Sequence, residues 1–427
     1  MTAAAVTTRL GGARAWWVWS LSVAFVVYVF SFQTGYAIVN PAMQTDAGLS
    51  VSQVATIAAV YTWAFAVCQF FGGALLDRLG ARTVLAVSIA LVTVGVFAFA
   101  NATSYALLLL SQVVVAIGSC TAFVGAGYIG GQWFGMAKFG FMLGLVSVCS
   151  SLASAFAFNL FESVLGSITW RTLFNIYGAI GIVILVLGVL YIRNPAPLPP
   201  AGAMDAGLGK FFASVIGDIV QVGKIGHVWI ASIIGAAQFG ALLALGVVWM
   251  PKLLMVHGLS QSQASFVASL LWLGAAAGSA AFPWWSGRIE RRKLPLIVGS
   301  AVTLACLVAL LFIPNVGPGL AMLLCFTFGF ASACNMIAFS TVADVMKHNQ
   351  IGTSAAIVNG VTFLFGGILI SRPGVRIGLG IEAGIEPKSL AIAQYASRPL
   401  LAALVIALAL AFAIKETFPK SSAPASR

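Results

Sequence analysis

The side chains with chemistry to offer are polar residues set singly in long apolar runs. They are Gln33, Tyr36, Tyr61, Trp63, Gln112, Tyr128, Gln238, Trp272, Asn335 and Asn359. An amide in hydrocarbon is costly unless it is bonded, so each must find either a neighbouring helix or a bound solute. Gln33, Tyr36 and Asn40 are spaced i, i+3, i+7 and share one helix face. Tyrosine and tryptophan stack on flat rings and donate one hydrogen bond each, which suits a heteroaromatic ligand that is uncharged where it is gripped. Charged groups keep to the ends of the runs: Asp344 and Lys347 close one, Glu162 is near the end of another, and His227, His257 and His348 are terminal or in loops.

One charged string stands apart, Gly73-Ala-Leu-Leu-Asp77-Arg78-Leu79-Gly80-Ala81-Arg82. A carboxylate beside arginines at a helix end can bond the partly positive start of another helix. Nothing resembles a nucleophile with its base, a metal-ligand cluster or a phosphate-cradling glycine loop at suitable depth. The sequence therefore predicts no enzyme, no cofactor and no metal site. The cysteines, Cys68, Cys120, Cys149, Cys306, Cys325 and Cys334, all fall inside apolar runs, where a thiol behaves as a small hydrophobe.

The elements that must position these groups are membrane spans. Hydrophobic residues make up 61% of the 427, charged ones 7%, and the mean hydropathy is +1.04. Water-soluble domains do not approach that balance. Spans are predicted at 17 to 40, 52 to 76, 83 to 100, 104 to 131, 138 to 161, 170 to 192, 226 to 250, 262 to 285, 293 to 313, 317 to 345, 352 to 371 and 397 to 416. The first is too long for a secretory signal and is read as a retained span. The one long break, Arg193 to Lys224, opens with repeated proline. It continues from Lys210 with the spacing of a short amphipathic helix on the membrane surface. The predicted organisation is thus residues 1–192 as one six-helix bundle, 193–224 as a linker, and 225–427 as a second bundle.

With both termini cytoplasmic, 16 of the 22 lysines and arginines fall on the cytoplasmic side, as the positive-inside rule requires. The net charge of +12 is therefore a topology signal and does not point to nucleic acid. A shift of 210 residues brings Pro41 to Gln53 onto Pro251 to Gln263 with six of thirteen positions identical, and also matches Trp19 with Trp229, Arg78 with Arg288 and Arg82 with Arg292. Two six-helix halves in one orientation are a recurrent plan of secondary transporters.

The string around Asp77 resembles the signature loop of the major facilitator superfamily. Trp170-Arg171-Thr-Leu-Phe174 and Lys415-Glu416-Thr417 resemble its span 6 entry and span 12 exit, so the resemblance covers Trp16 to about Thr417. It implies an all-α integral membrane fold of twelve helices in two pseudo-symmetric six-helix bundles, in a multi-pass protein of a bacterial cytoplasmic (inner) membrane that works as a monomer. It assigns Asp77, Arg78 and Arg82 to a gate, with the start of span 11 near Gly352-Thr353-Ser354 as the carboxylate's partner. It pairs span 5, with Gly140 and Gly144, and span 8, with Gly274 and Gly278, as a sliding contact. Two departures stand out: the span 4 arginine position holds Gln112, and the antiporter proline motif of span 5 is absent.

In that family the solute cavity is lined by spans 1, 4, 7 and 10 with 2, 5, 8 and 11 beside them. The resemblance therefore makes the ten polar residues named first the expected solute contacts. Gly127 to Phe134 and Ile357 to Gly360 look like a bacterial uptake subgroup that includes riboflavin transporters, but they also resemble carriers of organic acids and metal chelates. The leading expectation is uptake of a neutral heteroaromatic compound such as riboflavin. The alternative is a proton-coupled carrier of organic anions or metal chelates, with Glu162 as proton site and Arg372, Arg376 or Arg398 reaching inward from an outer loop. A membrane receptor or scaffold without transport is a further class, disfavoured by the intact gate residues.

Overall fold

In the computed structural model the described residues are 11–49, 51–165, 167–194 and 208–419, less a number of side chains, mostly helical, those of Asn40 and Glu162 among them. The proline-rich stretch 195–207 lies outside that set. The described residues form helices and short connections: α1 Ala13–Asp46, α2 Val51–Ala100, α3 Tyr105–Ser119, α4 Ala122–Phe134, α5 Phe139–Leu165, α6 Trp170–Tyr191, α7 Leu208–Gly223, α8 Gly226–Ala244, α9 Met250–Val256, α10 Gln261–Arg288, α11 Lys293–Phe312, α12 Pro318–Ser332, α13 Asn335–Ala343, α14 Ile351–Glu382 and α15 Leu390–Ala413.

Among the described residues eleven helical stretches are long and apolar enough to cross a membrane. One of them, Val60–Ala100, is 41 residues long. At 1.5 Å per residue that is about 62 Å, twice a hydrocarbon core of about 30 Å. It is broken at Gly80, whose φ of 75° and ψ of 157° leave the helical region. Counting it as two gives the twelve crossings of the predicted fold.

Starts and stops follow the local chemistry. Ser104, Thr169, Ser260 and Ser389 each accept a backbone N–H in the first turn of the helix they precede. Ser260 and Gln263 form a full capping box. In its second copy the Gly-Leu-Ser-X-Ser-Gln string is therefore a stop followed by a start, and Gly48 at φ 61° and Gly258 at φ 89° each follow the end of a helix.

Two compact units result, residues 1–222 with 348–357, and residues 223–347 with 358–427. The amphipathic segment α7 and the first turns of α14 both belong to the first. That unit is centred on an aromatic cluster in which Phe99 meets Phe32, Tyr36, Trp170 and Phe174 at ring separations of 5.3 to 6.0 Å. The second packs Leu254, Leu271, Leu307, Leu310, Phe328 and Leu404 into its core.

Two spans are interrupted at matching places. The fourth breaks at Cys120–Thr121 between α3 and α4, and the tenth at Ala333–Cys334 between α12 and α13. Both leading helices have 15 residues, and they end 213 residues apart, at Ser119 and Ser332. In the seventh span a π-turn, Leu245–Trp249, joins α8 to α9.

Two expectations need correction. Arg372 and Arg376 lie within α14 and Arg398 within α15, not in an outer loop, because neither Pro373 nor Pro399 ends its helix. Arg376 and Arg398 both stack on the Tyr395 ring, at 4.3 and 4.8 Å. Gly274 and Gly278 meet α12 inside the second unit: a Cβ there would stand 2.1 and 2.2 Å from the carbonyl oxygens of Phe326 and Phe330. Their small size serves a backbone contact between α10 and α12.

Candidate functional site

The charged string divides its labour. Asp77 is buried and its Oδ1 accepts from the Gly352 backbone N–H at 2.9 Å. Its Oδ2 accepts from the Thr353 N–H at 2.7 Å and the Thr353 hydroxyl at 2.8 Å. The carboxylate thus satisfies the orphan donors at the start of α14, where the helix dipole favours negative charge. Glycine makes the approach possible, since a Cβ on Gly73 would lie 1.9 Å from the Gly352 carbonyl oxygen.

Arg78 turns to α7 instead. Its Nε and Nη2 donate to Asp218 Oδ2 at 2.8 and 2.6 Å, Nη2 also donates to the Ser214 carbonyl at 3.0 Å, and Nη1 donates to the Ser214 hydroxyl. Arg82 has an exposed side chain, and its backbone N–H donates to Asn194 Oδ1 at 3.2 Å. The sequence named these three residues without the partners Asp218 and Ser214.

The second unit carries its own charged cluster, around Arg292, the repeat partner of Arg82. Arg292 pairs with Asp344 at 2.9 Å, with side chains only 5% and 8% exposed. Arg292 also donates to Ser286 Oγ and stacks on Phe418. Glu416 accepts from the backbone N–H groups of Arg292 and Lys293 at 2.7 and 3.1 Å. Burial alone would raise the Glu416 carboxyl, but the backbone donors of Arg292, Phe418, Lys293 and Thr417 outweigh it and hold the group below its ordinary range. At Asp344 burial wins over the Arg292 bond and charge, and its carboxyl is pushed up.

The deep polar residues fall into three groups. In the first unit Gln33 donates to the Tyr61 hydroxyl, and Tyr61 stacks on Phe65 at 5.8 Å. Gln112 is 1% exposed with no partner for Nε2, and Tyr128 is buried on α4. In the second unit Gln238 is fully buried with neither amide atom bonded, and Asn359 lacks a partner for Nδ2. Asn335, also buried, opens α13 directly after the interruption, while Trp272 Nε1 reaches the Gly246 carbonyl of the π-turn at 3.4 Å. The last group stands outside these sets: Tyr36 packs in the aromatic core, and Trp63 is 62% exposed.

Gln69, which sequence reasoning did not single out, is 1% exposed with both amide atoms unpartnered. It lies in the same apolar run as Tyr61, and its side-chain type was the available signal. The histidines with described side chains are structural: His227 Nε2 lies 3.2 Å from the Thr341 carbonyl and His257 Nε2 lies 2.8 Å from that of Leu310. The Glu162 side chain lies outside the described set.

A cavity of about 600 Å³ in the first unit is lined by Val27, Leu152, Ile176 and Ile180 with Cys149 and Tyr177. It contains none of the ten expected solute residues. One wall is α6, the span least enclosed by protein. A polar solute would find little to bond there.

A family model described as Major Facilitator Superfamily matches residues 21–371. The "Probable galactarate/D-glucarate transporter" of Bacillus subtilis is 23% identical over 380 residues, 81% of each chain. The "Probable sulfoacetate transporter" of Cupriavidus necator is 22% identical over 358 residues, 79% of this chain and 82% of that one. The solved structure of a proton:xylose symporter bound to 6-bromo-6-deoxy-D-glucose superposes with a TM-score of 0.69 at 13% identity, covering 95% of this chain and 97% of that one, which speaks to the fold.

Proposed function

This chain belongs to the Major Facilitator Superfamily and transports a small organic solute across a membrane, and from that premise we propose that its solute is a small hydroxylated organic acid. The observation that carries this reading is the set of buried amide donors without an acceptor, Nε2 of Gln69, Gln112 and Gln238 and Nδ2 of Asn359. Such N–H groups bond carboxylate and hydroxyl oxygens and would be costly to leave unmet. Galactarate and D-glucarate, in the name of one quoted relative, are of this chemical class, and sulfoacetate, in the name of the other, is a small organic acid without a hydroxyl. None of the quoted names supports a vitamin, and the heteroaromatic expectation becomes the second reading. What favours it is that every predicted solute residue is uncharged and that several are aromatic.

In this mechanism the interruptions of spans 4 and 10 give each unit a point of adjustment beside its polar groups. Asp77 serves as a latch whose bonds to α14 hold one state and break in the other, with Arg78 and Arg82 flanking the break of α2 beside it. Both termini lie in the cytoplasm. Should transport be proton-coupled, Glu162 is the proton site, and Glu162→Gln then abolishes pH-driven uptake.

The test is uptake by proteoliposomes offered labelled glucarate, galactarate, a neutral hexose and riboflavin. Diacid uptake is expected, with KM raised about tenfold or more by Gln112→Ala or Gln238→Ala, the equivalent of one hydrogen bond to a charged group. Riboflavin uptake that glucarate does not compete with would overturn the acid reading in favour of the second.

A further inference from the structure

The linker helix α7 presents two apolar rows, one buried and one half-exposed. Val215 and Val222 are buried, and Val215 and Ile219 pack against Ala74, Phe71, Leu75 and Leu79 of α2. About a quarter-turn round the helix runs the row Phe212, Ile216 and Val220, spaced i, i+4, i+8 and 51%, 50% and 50% exposed. On the far side of this row from α2 stand Lys210 and, just past the helix end, Lys224, both exposed.

The helix is held close in sequence and contact to the ends of two apolar crossings. Arg78, which grips Ser214 and Asp218, lies two residues before the break of α2 at Gly80. Three residues after α7 ends at Gly223 the chain starts a membrane-crossing helix at Gly226. An apolar row tethered at that level, flanked by lysines, matches the pattern of helices that lie in the bilayer interface, with apolar side chains among acyl chains and basic ones at anionic headgroups.

We propose that α7 is a lipid-binding strap: Ile216 and Val220, with Phe212, sink into the bilayer, Lys210 and Lys224 hold anionic phospholipid headgroups, and the Arg78–Asp218 pair fastens the strap to α2. The occupant is lipid, argued from the lysines beside the row and from the tethering of the helix close to the ends of two apolar crossings. This assignment is independent of which solute is carried.

Site-directed spin labelling of the full-length chain in nanodiscs tests it. Cys68 and Cys149 are replaced by alanine, the other four cysteines being buried. Labels are then placed by Ile216→Cys, by Val220→Cys as a second position, and by Gly217→Cys on the exposed polar side. Labels at 216 and 220 are expected to collide several-fold more with oxygen than with a water-soluble nickel chelate, and the label at 217 the reverse. Adding phosphatidylglycerol to phosphatidylcholine discs is expected to deepen the first two, and Lys210→Gln with Lys224→Gln to abolish that response. Nickel-accessible labels at 216 and 220 would mean a row open to water or to a soluble partner, and labels shielded from both reagents a row covered by protein. Either result overturns the strap, and indifference to phosphatidylglycerol overturns its lysine half.

Discussion

Replacing Asp77 with asparagine isolates the charge of the proposed latch while keeping its shape. Asp77 accepts three hydrogen bonds from Gly352 and Thr353, at 2.7 to 2.9 Å. Asparagine retains one acceptor oxygen, turns the other position into a donor facing donors, and removes the negative charge from the start of α14. Each hydrogen bond to a charged group contributes about 1.5–3 kcal/mol net, and a carboxylate at a helix start up to about 2 kcal/mol. These contributions overlap, so a loss of about 3 kcal/mol is expected, or roughly a hundredfold in the local opening equilibrium. Hydrogen–deuterium exchange of the protein in nanodiscs reads this directly. Peptides covering residues 348–357 should exchange about a hundredfold faster in Asp77→Asn, and severalfold faster in Thr353→Val, with α11 unchanged. Exchange at 348–357 that stays at the wild-type rate would refute the latch, and uniform acceleration along the chain would show that Asp77 only supports the fold.

Other consequences follow from single contacts. Asp344→Ala strands the buried Arg292 charge and should cost about 3–5 kcal/mol in thermal unfolding, whereas Arg292→Met with Asp344→Leu should recover most of it. Gly274→Ala drives a methyl to 2.1 Å from the Phe326 carbonyl, so α10 and α12 must separate, at an expected cost of about 1–3 kcal/mol visible as a lower Tm. The Glu416 carboxyl is held below its ordinary value near 4.5, so its stabilising contribution is present above that pH and lost as pH falls through the lower folded-state value. The Tm gap between wild type and Glu416→Gln should therefore be widest near neutrality and close on acidification.

What could be read from the sequence was what local chemistry decides. Apolar length gave the crossings, and the Asp77 string announced a carboxylate seeking helix donors. What escaped were features set by distant contacts. The predicted span edges at 371 and 397 fall short of the helices, since membrane helices tolerate proline when neighbours satisfy the freed backbone groups, and α14 and α15 include Pro373 and Pro399. The interruptions at Cys120–Thr121 and Ala333–Cys334 sit among small residues that leave the apolar pattern intact. The pairing of Arg78 with Asp218 requires knowing where α7 docks, and amphipathic spacing alone does not say.

The meeting of Gly73 with Gly352 leaves selection nothing to adjust at that point. Two bare backbones touch, and every larger residue is shut out by the 1.9 Å clearance. Of the three donors around Asp77 only the Thr353 hydroxyl belongs to a side chain, so it is the one a substitution removes without moving a backbone.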